Sequence, residues 1–201
     1  MLVWGEGGFV PDNDSLILGA QDADATLVFV NGLDLGRKSR LVEVVSGRGP
    51  SAMTDARLTG LIQGDGGSLI KGGLGILEIT NTGNTYSGGT YLAEGTLISA
   101  SSDAFGTGGI FVGTTSDTQS TDEILTLGFT PASTATVSNN ITYGSANYEG
   151  VSVLSLGDNV STLSGNLVFD RLAGGNVIVQ TSNAYNFNTF TGGVTVSGSV
   201  T

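Results

Sequence analysis

Short alternations of apolar and polar residues recur along this chain and never lengthen into a helical period. The clearest are TLVFV at 26–30, ILEIT at 76–80, GIFVG at 109–113 and EILTL at 123–127. VSVLSL at 151–156, NLVFD at 166–170, NVIVQ at 176–180 and GVTVS at 193–197 continue the series. Each reads as a strand of about four to six residues with every second side chain turned inward. Turn signals separate them: GDGG, NTGN, SGG, GTGG, LGDN and AGGN. The stretch RLVEVVSGRGPSAMTDARL is less regular, and a longer loop is expected there, with a short helix left open. The pattern as a whole predicts strand and turn almost throughout.

Repetition narrows the architecture. NTYSGGT at 84–90 returns as NTFTGGV at 188–194, an offset of about 104 residues, and LTG at 58–60 returns as LSG at 163–165 with nearly the same offset. Strand–turn units repeated in this way point to a solenoid. In a β-solenoid each coil stacks about 4.8 Å from the next, so inward Val, Ile and Leu form ladders and corners call for Gly and Asn. The 33 glycines, the 3 prolines and the Thr- and Ser-rich strand faces fit that requirement. The expectation is an all-β fold, a single elongated parallel β-helix. At about 20 residues per coil, it would stack roughly ten coils. A sandwich or Greek-key barrel remains the alternative within all-β folds.

Residues 66–108 then carry a family likeness. Gly66, Gly67, Leu69, Lys71, Gly73, Gly75 and Leu77 are followed by Asn84, Thr85, Tyr86, Gly88, Gly89 and Thr90, and then by Gly95, Thr96 and Leu97. In this order they resemble the passenger-associated strand repeat of bacterial autotransporters. NNIT at 139–142 and LSGNL at 163–167 are similar to the coils between such repeats. A diverged second copy holds Asn188, Thr189, Phe190, Gly192 and Gly193 but lacks the Leu-x-Lys step. The resemblance implies a right-handed parallel β-helix secreted across the outer membrane of a Gram-negative-type cell. In that family a C-terminal β-barrel does the translocating, so this chain is expected to be passenger only. The expected division is one β-helix over 1–201: coils over 1–57 with a less regular loop near 36–57, the repeat over 58–108, and further coils over 109–201.

Composition changes the picture mainly by exclusion. With no histidine and no cysteine, Ser-His-Asp and Cys-His arrangements and His/Cys zinc sites fall away within this chain. The formal net charge of −11 disfavours nucleic acid and anionic lipid. No apolar run approaches a membrane span, and MLVWGEGG does not read as a signal peptide. Arg37, Lys38, Arg40, Arg48, Arg57 and Lys71 cluster, either as a modest basic face or, as preferred here, as solvated loop charges. GEGGF at 5–9 and GTGGIFVG at 106–113 match no phosphate-loop pattern.

Carboxylate chemistry is the surviving catalytic option. Asp12 with Asp14, Asp22 with Asp24, and Asp122 with Glu123 are close pairs, though all sit in turn-like contexts. PDNDS at 11–15 offers calcium oxygens without the rest of an EF-hand loop. Tyr86, Tyr91, Phe105, Phe111, Phe187 and Phe190 are read as core or corner packing in preference to ligand stacking. NYEG at 147–150, with Tyr143 and Tyr148, is the best candidate for an exposed aromatic loop.

The functional expectation is a non-catalytic structural or adhesive stalk at a bacterial cell surface or outside the cell, with no catalytic residue, metal or cofactor. Its expected partners are flanking coils of the same parent chain, or other copies stacked end to end. Host-surface or glycan ligands are the outside candidates; nucleic acid and direct membrane insertion are not expected. The alternatives are a self-assembling filament subunit and a polysaccharide-binding or -degrading β-helix.

Overall fold

The computed structural model describes residues 1–50, 53–113, 124–144, 150–170, 176–181 and 189–197. Among these there is no helix, and every strand pairing is parallel. The chain is a β-solenoid of about six turns, winding past three faces. An eight-stranded sheet holds β2 (Leu16–Leu18), β5 (Ser39–Val44), β8 (Ser68–Gly72), β10 (Thr90–Leu92), β12 (Ile110–Val112), β15 (Ile141–Tyr143), β18 (Leu167–Asp170) and β21 (Val194–Ser197). A seven-stranded sheet holds β3 (Leu27–Phe29), β6 (Ala56–Leu58), β9 (Ile76–Ile79), β11 (Thr96–Ser99), β13 (Ile124–Phe129), β16 (Val151–Leu156) and β19 (Asn176–Thr181). The third face starts with β1 (Leu2–Val3), β4 (Leu33–Asp34) and β7 (Ile62–Gln63), and ends with β14 (Ala135–Val137), β17 (Val160–Leu163) and β20 (Thr189–Phe190). All eight alternating stretches noted in the sequence lie on strands. Ser39–Val44, inside the stretch expected as a less regular loop, is a strand of six residues.

Register explains why the pattern alternates. In the seven-stranded sheet, Leu27, Ala56, Leu77, Leu97, Leu127, Leu154 and Val179 stack as one row. Phe29, Leu58, Ile79, Ser99, Phe129, Leu156 and Thr181 form the next inward row. In the eight-stranded sheet one inward row runs Arg40, Leu69, Thr90, Ile110, Ile141, Leu167 and Val194. The other runs Leu16, Val42, Lys71, Leu92, Val112, Tyr143, Phe169 and Val196. Each buried aliphatic rung contributes about 1.5–3 kcal/mol of burial.

Turn length varies more than a uniform 20-residue coil allows. Tyr91 to Phe111 is a step of 20 residues, whereas Ile110 to Ile141 takes 31. The steps between successive strands of one sheet therefore differ in length, and the chain makes about six turns where ten were expected. At about 4.8 Å per strand, the eight-stranded sheet extends roughly 34 Å along the axis.

Both ends leave an inward rung partly open, Leu27 on the first strand of the seven-stranded sheet being 39% exposed. At the N-terminal end Arg40 is buried; its guanidinium donates to the Leu35 carbonyl at 3.0 Å and the Asp12 carboxylate at 2.8 Å, and lies 5.6 Å from the Trp4 ring. Phe9 packs on both Trp4 and Phe29. At the other end the inward rows finish on Val179, Val194 and Val196, which are 41%, 56% and 53% exposed.

Candidate functional site

The repeat segment 66–97 is where sequence reasoning placed its candidate residues, and its aliphatic members are plain core. Leu69, Leu77 and Leu97 are buried rungs, while Thr85 is exposed and Thr96 half-buried. More informative are the polar rungs that interrupt the apolar rows. Thr90 stands between Leu69 and Ile110. Its hydroxyl meets the Tyr86 phenol at 2.7 Å and donates to the Phe105 carbonyl at 3.0 Å. Lys71 stands between Val42 and Leu92. Its buried ammonium donates to the carbonyls of Gly72, Gly73 and Glu94 at 3.1, 2.5 and 2.9 Å. Glu94 in turn accepts the Gly73 N–H at 2.8 Å.

Between β7 and β14 the third face holds no strand among the described residues, and Asn84 supplies the missing pairing. Its Oδ1 accepts the Ile62 N–H at 2.8 Å, and its Nδ2 donates to the Ala104 carbonyl at 2.7 Å. One side chain thus joins three consecutive turns. Asn139 does similar work further on, donating to the carbonyls of Gly106 and Gly108 at 3.1 and 2.7 Å. Burial pushes the Tyr86 phenol well above its ordinary pKa, with the Thr90 hydrogen bond pulling slightly the other way.

Close approach governs the glycines. A Cβ on Gly88 would lie 2.6 Å from the Gly66 carbonyl oxygen, and one on Gly95 2.7 Å from that of Gly73. Gly67 and Gly75 are equally crowded, by the Gly36 and Val44 carbonyls at 2.6 and 2.9 Å. Gly66, Gly73, Gly89 and Gly95 all have positive φ. In the second copy, Thr189 and Phe190 form β20, Gly192 and Gly193 make the corner before β21, and Asn188 lies outside the described residues. Thr90 and Val194 lie on one ladder row four steps apart, so the repeat of about 104 residues corresponds to four turns. LTG and LSG do not share this register. Leu58 belongs to the seven-stranded sheet and Leu163 to the third face, so their likeness is only that of a corner glycine after a strand.

Several sequence expectations are corrected. The basic cluster divides: Arg37, Lys38 and Arg48 are exposed in turns and irregular segments, as expected of solvated loop charges, and the others are not. Arg40 and Lys71 are interior, Arg57 pairs with Glu78 at 2.6 Å, and Lys38 pairs with Asp12. Asp12 is therefore held by cations, and its carboxyl lies below the ordinary value because Lys38 and then Arg40 hydrogen-bond to it. Tyr143 is not on an exposed loop: it is buried and stacks on Phe169 at 5.9 Å. Its hydroxyl has no hydrogen-bond partner among the described residues, and burial raises its pKa. Tyr91 and Phe111 are half-buried on the outer side of the eight-stranded sheet instead of in the core. Asp22 and Asp24 are exposed in a turn region. Asp122, Glu123, Tyr148 and Phe187 lie outside the described residues. Among the described residues no three His, Cys, Asp or Glu side chains come together as a metal site.

No protein-family model matches the chain, and neither a curated protein nor a solved structure matches it. Its architecture is that of a β-helix repeat protein.

Proposed function

We propose that the chain is a non-catalytic, rigid stalk segment of a secreted bacterial surface protein, of the autotransporter-passenger kind. The observation that carries this reading is the use made of the repeat motif. Asn84, Thr90 and Lys71 each send a side-chain hydrogen bond to a neighbouring turn, the Tyr86 phenol holds Thr90 in place, and the corner glycines let the turns approach closely. A stack joined by axial backbone bonds, aliphatic rows and side-chain bridges resists bending, which suits a spacer that holds other parts away from a cell. The resemblance of residues 66–97 to the passenger repeat supplies the cellular setting. Labelling of intact cells of the source organism with an antibody to this segment tests that setting. Staining without permeabilisation is expected, and staining only after permeabilisation would sink it.

End-to-end stacking of copies is the second reading, because the parallel ladders of a β-solenoid can be extended by a further strand at an open edge. Sedimentation across a concentration series separates the two: filaments grow with concentration, whereas a stalk segment remains of finite size.

A further inference from the structure

The outer side of the eight-stranded sheet carries a row that the stalk reading does not use. Leu41, Ile70, Tyr91 and Phe111 share one register position on β5, β8, β10 and β12. All four are half-buried on the water side, and the row runs about 14 Å along the axis. The rings of Tyr91 and Phe111 stack at 4.7 Å and 14°. Beside this row, Glu43 sits in register with Gly72, and the Ala93 N–H bonds to the Lys71 carbonyl one turn below. Because Gly72 has no side chain, a hollow of about 410 Å³ opens there, walled by Leu41, Ile70 and Ala93 and flanked by Glu43 and Glu94.

The chemistry of this face selects its occupant. Mutual stacking uses the facing ring surfaces of Tyr91 and Phe111, which leaves an apolar strip with no open platform for a sugar. A second copy docking through the same patch would gather four carboxylates, Glu43 and Glu94 from each copy, in one interface with no cation among the residues lining the hollow, which is unfavourable. An anionic membrane is repelled by the net charge of −11. We propose that this face docks a basic, partly apolar peptide segment of another protein. Apolar side chains lie on the Leu41–Ile70–Tyr91–Phe111 row. A Lys or Arg enters the hollow over Gly72, its stem against Leu41 and Ile70 and its charge between the two carboxylates. Glu43 is the stronger determinant. The buried Lys71 ammonium bonds the Glu94 carbonyl and offsets part of the Glu94 charge, whereas the hydrogen-bond partner of Glu43 is the neutral Ser15 hydroxyl at 2.8 Å.

Calorimetric titration of the full chain with a blocked Leu-Lys-Leu-Lys-Leu-Lys peptide, and with its Leu-Glu counterpart, tests this. The lysine peptide is expected to bind with one-to-one stoichiometry and weaken as salt rises, and the glutamate peptide not to bind. Glu43→Gln and Tyr91→Ser should each weaken binding at least fivefold, while Tyr91→Leu keeps it within twofold by preserving the apolar cover. Asp103→Asn, on an exposed corner after the seven-stranded sheet, should leave it unchanged. Circular dichroism of each variant separates lost binding from lost fold. The proposal is overturned if the lysine peptide does not bind, or if Glu43→Gln and Tyr91→Ser leave its affinity intact. Equal weakening by Asp103→Asn, or a dimer that Tyr91→Ser dissolves, would overturn it too. None of these results bears on the stalk reading, which rests on the inward rows and corners.

Discussion

Asn84 Oδ1 accepts the backbone N–H of Ile62 at 2.8 Å, one turn away, while its Nδ2 reaches the Ala104 carbonyl on the opposite side. The amide takes the place of a strand at a position where the third face has none. Asn84→Ala leaves a donor and an acceptor unpaired in a buried setting, and a loss of about 2–4 kcal/mol is expected by urea unfolding. Asn84→Asp keeps the acceptor but buries a charge opposite the Ala104 carbonyl, and should be no better tolerated.

Two buried tyrosines give opposite outcomes for the same substitution. Tyr86→Phe removes the partner of the Thr90 hydroxyl and should cost about 1 kcal/mol. Tyr143→Phe removes an unpartnered buried hydroxyl and should be neutral, or stabilise by up to about 1 kcal/mol. Parallel thermal melts check the sign, and destabilisation by Tyr143→Phe would show that its hydroxyl has a partner in solution.

Glycine substitutions should separate strain from crowding. Gly66 has φ +74° with open space around it, so Gly66→Ala is expected to cost about 1 kcal/mol through backbone strain alone. Gly95 has φ +67° and the Gly73 carbonyl 2.7 Å from its would-be Cβ, so Gly95→Ala should cost at least twice as much. Chemical denaturation of the two variants side by side is the measurement.

Acid should loosen the contacts that Asp12 makes with Lys38 and Arg40. Asp12 is held below its ordinary pKa of 3.8 by Lys38 and Arg40. A carboxyl depressed in the folded state contributes stability that is complete above its unfolded pKa and lost as pH falls through its folded pKa. The melting temperature should therefore drop below about pH 3.8 more steeply in the wild type than in Asp12→Asn. Equal slopes would show that these ion pairs contribute no stability.

The eight alternating stretches were legible as strands because a pattern such as VSVLSL or ILEIT has period two and needs no knowledge of neighbours; the two- to four-residue strands of the third face are too short to show that period. The glycine corners were legible as turns for the same local reason. The aromatic assignments were not. Tyr91 and Phe111 read like Tyr86 and Phe105 in isolation, yet one pair faces water and the other the core. Facing depends on where a corner sets the phase of the next strand, and that phase is decided by packing against the turn below.

Chemistry and periodicity along the chain were enough to determine a parallel stack of short strands with glycine corners. They also excluded histidine- and cysteine-based sites. Only the tertiary structure decided how many residues each turn takes, that Arg40 and Lys71 are interior, and that Asn84 bridges three turns. Those outcomes depend on contacts between residues 20 to 30 positions apart. Such contacts arise only when one turn is laid on another and buried polar groups must find partners there.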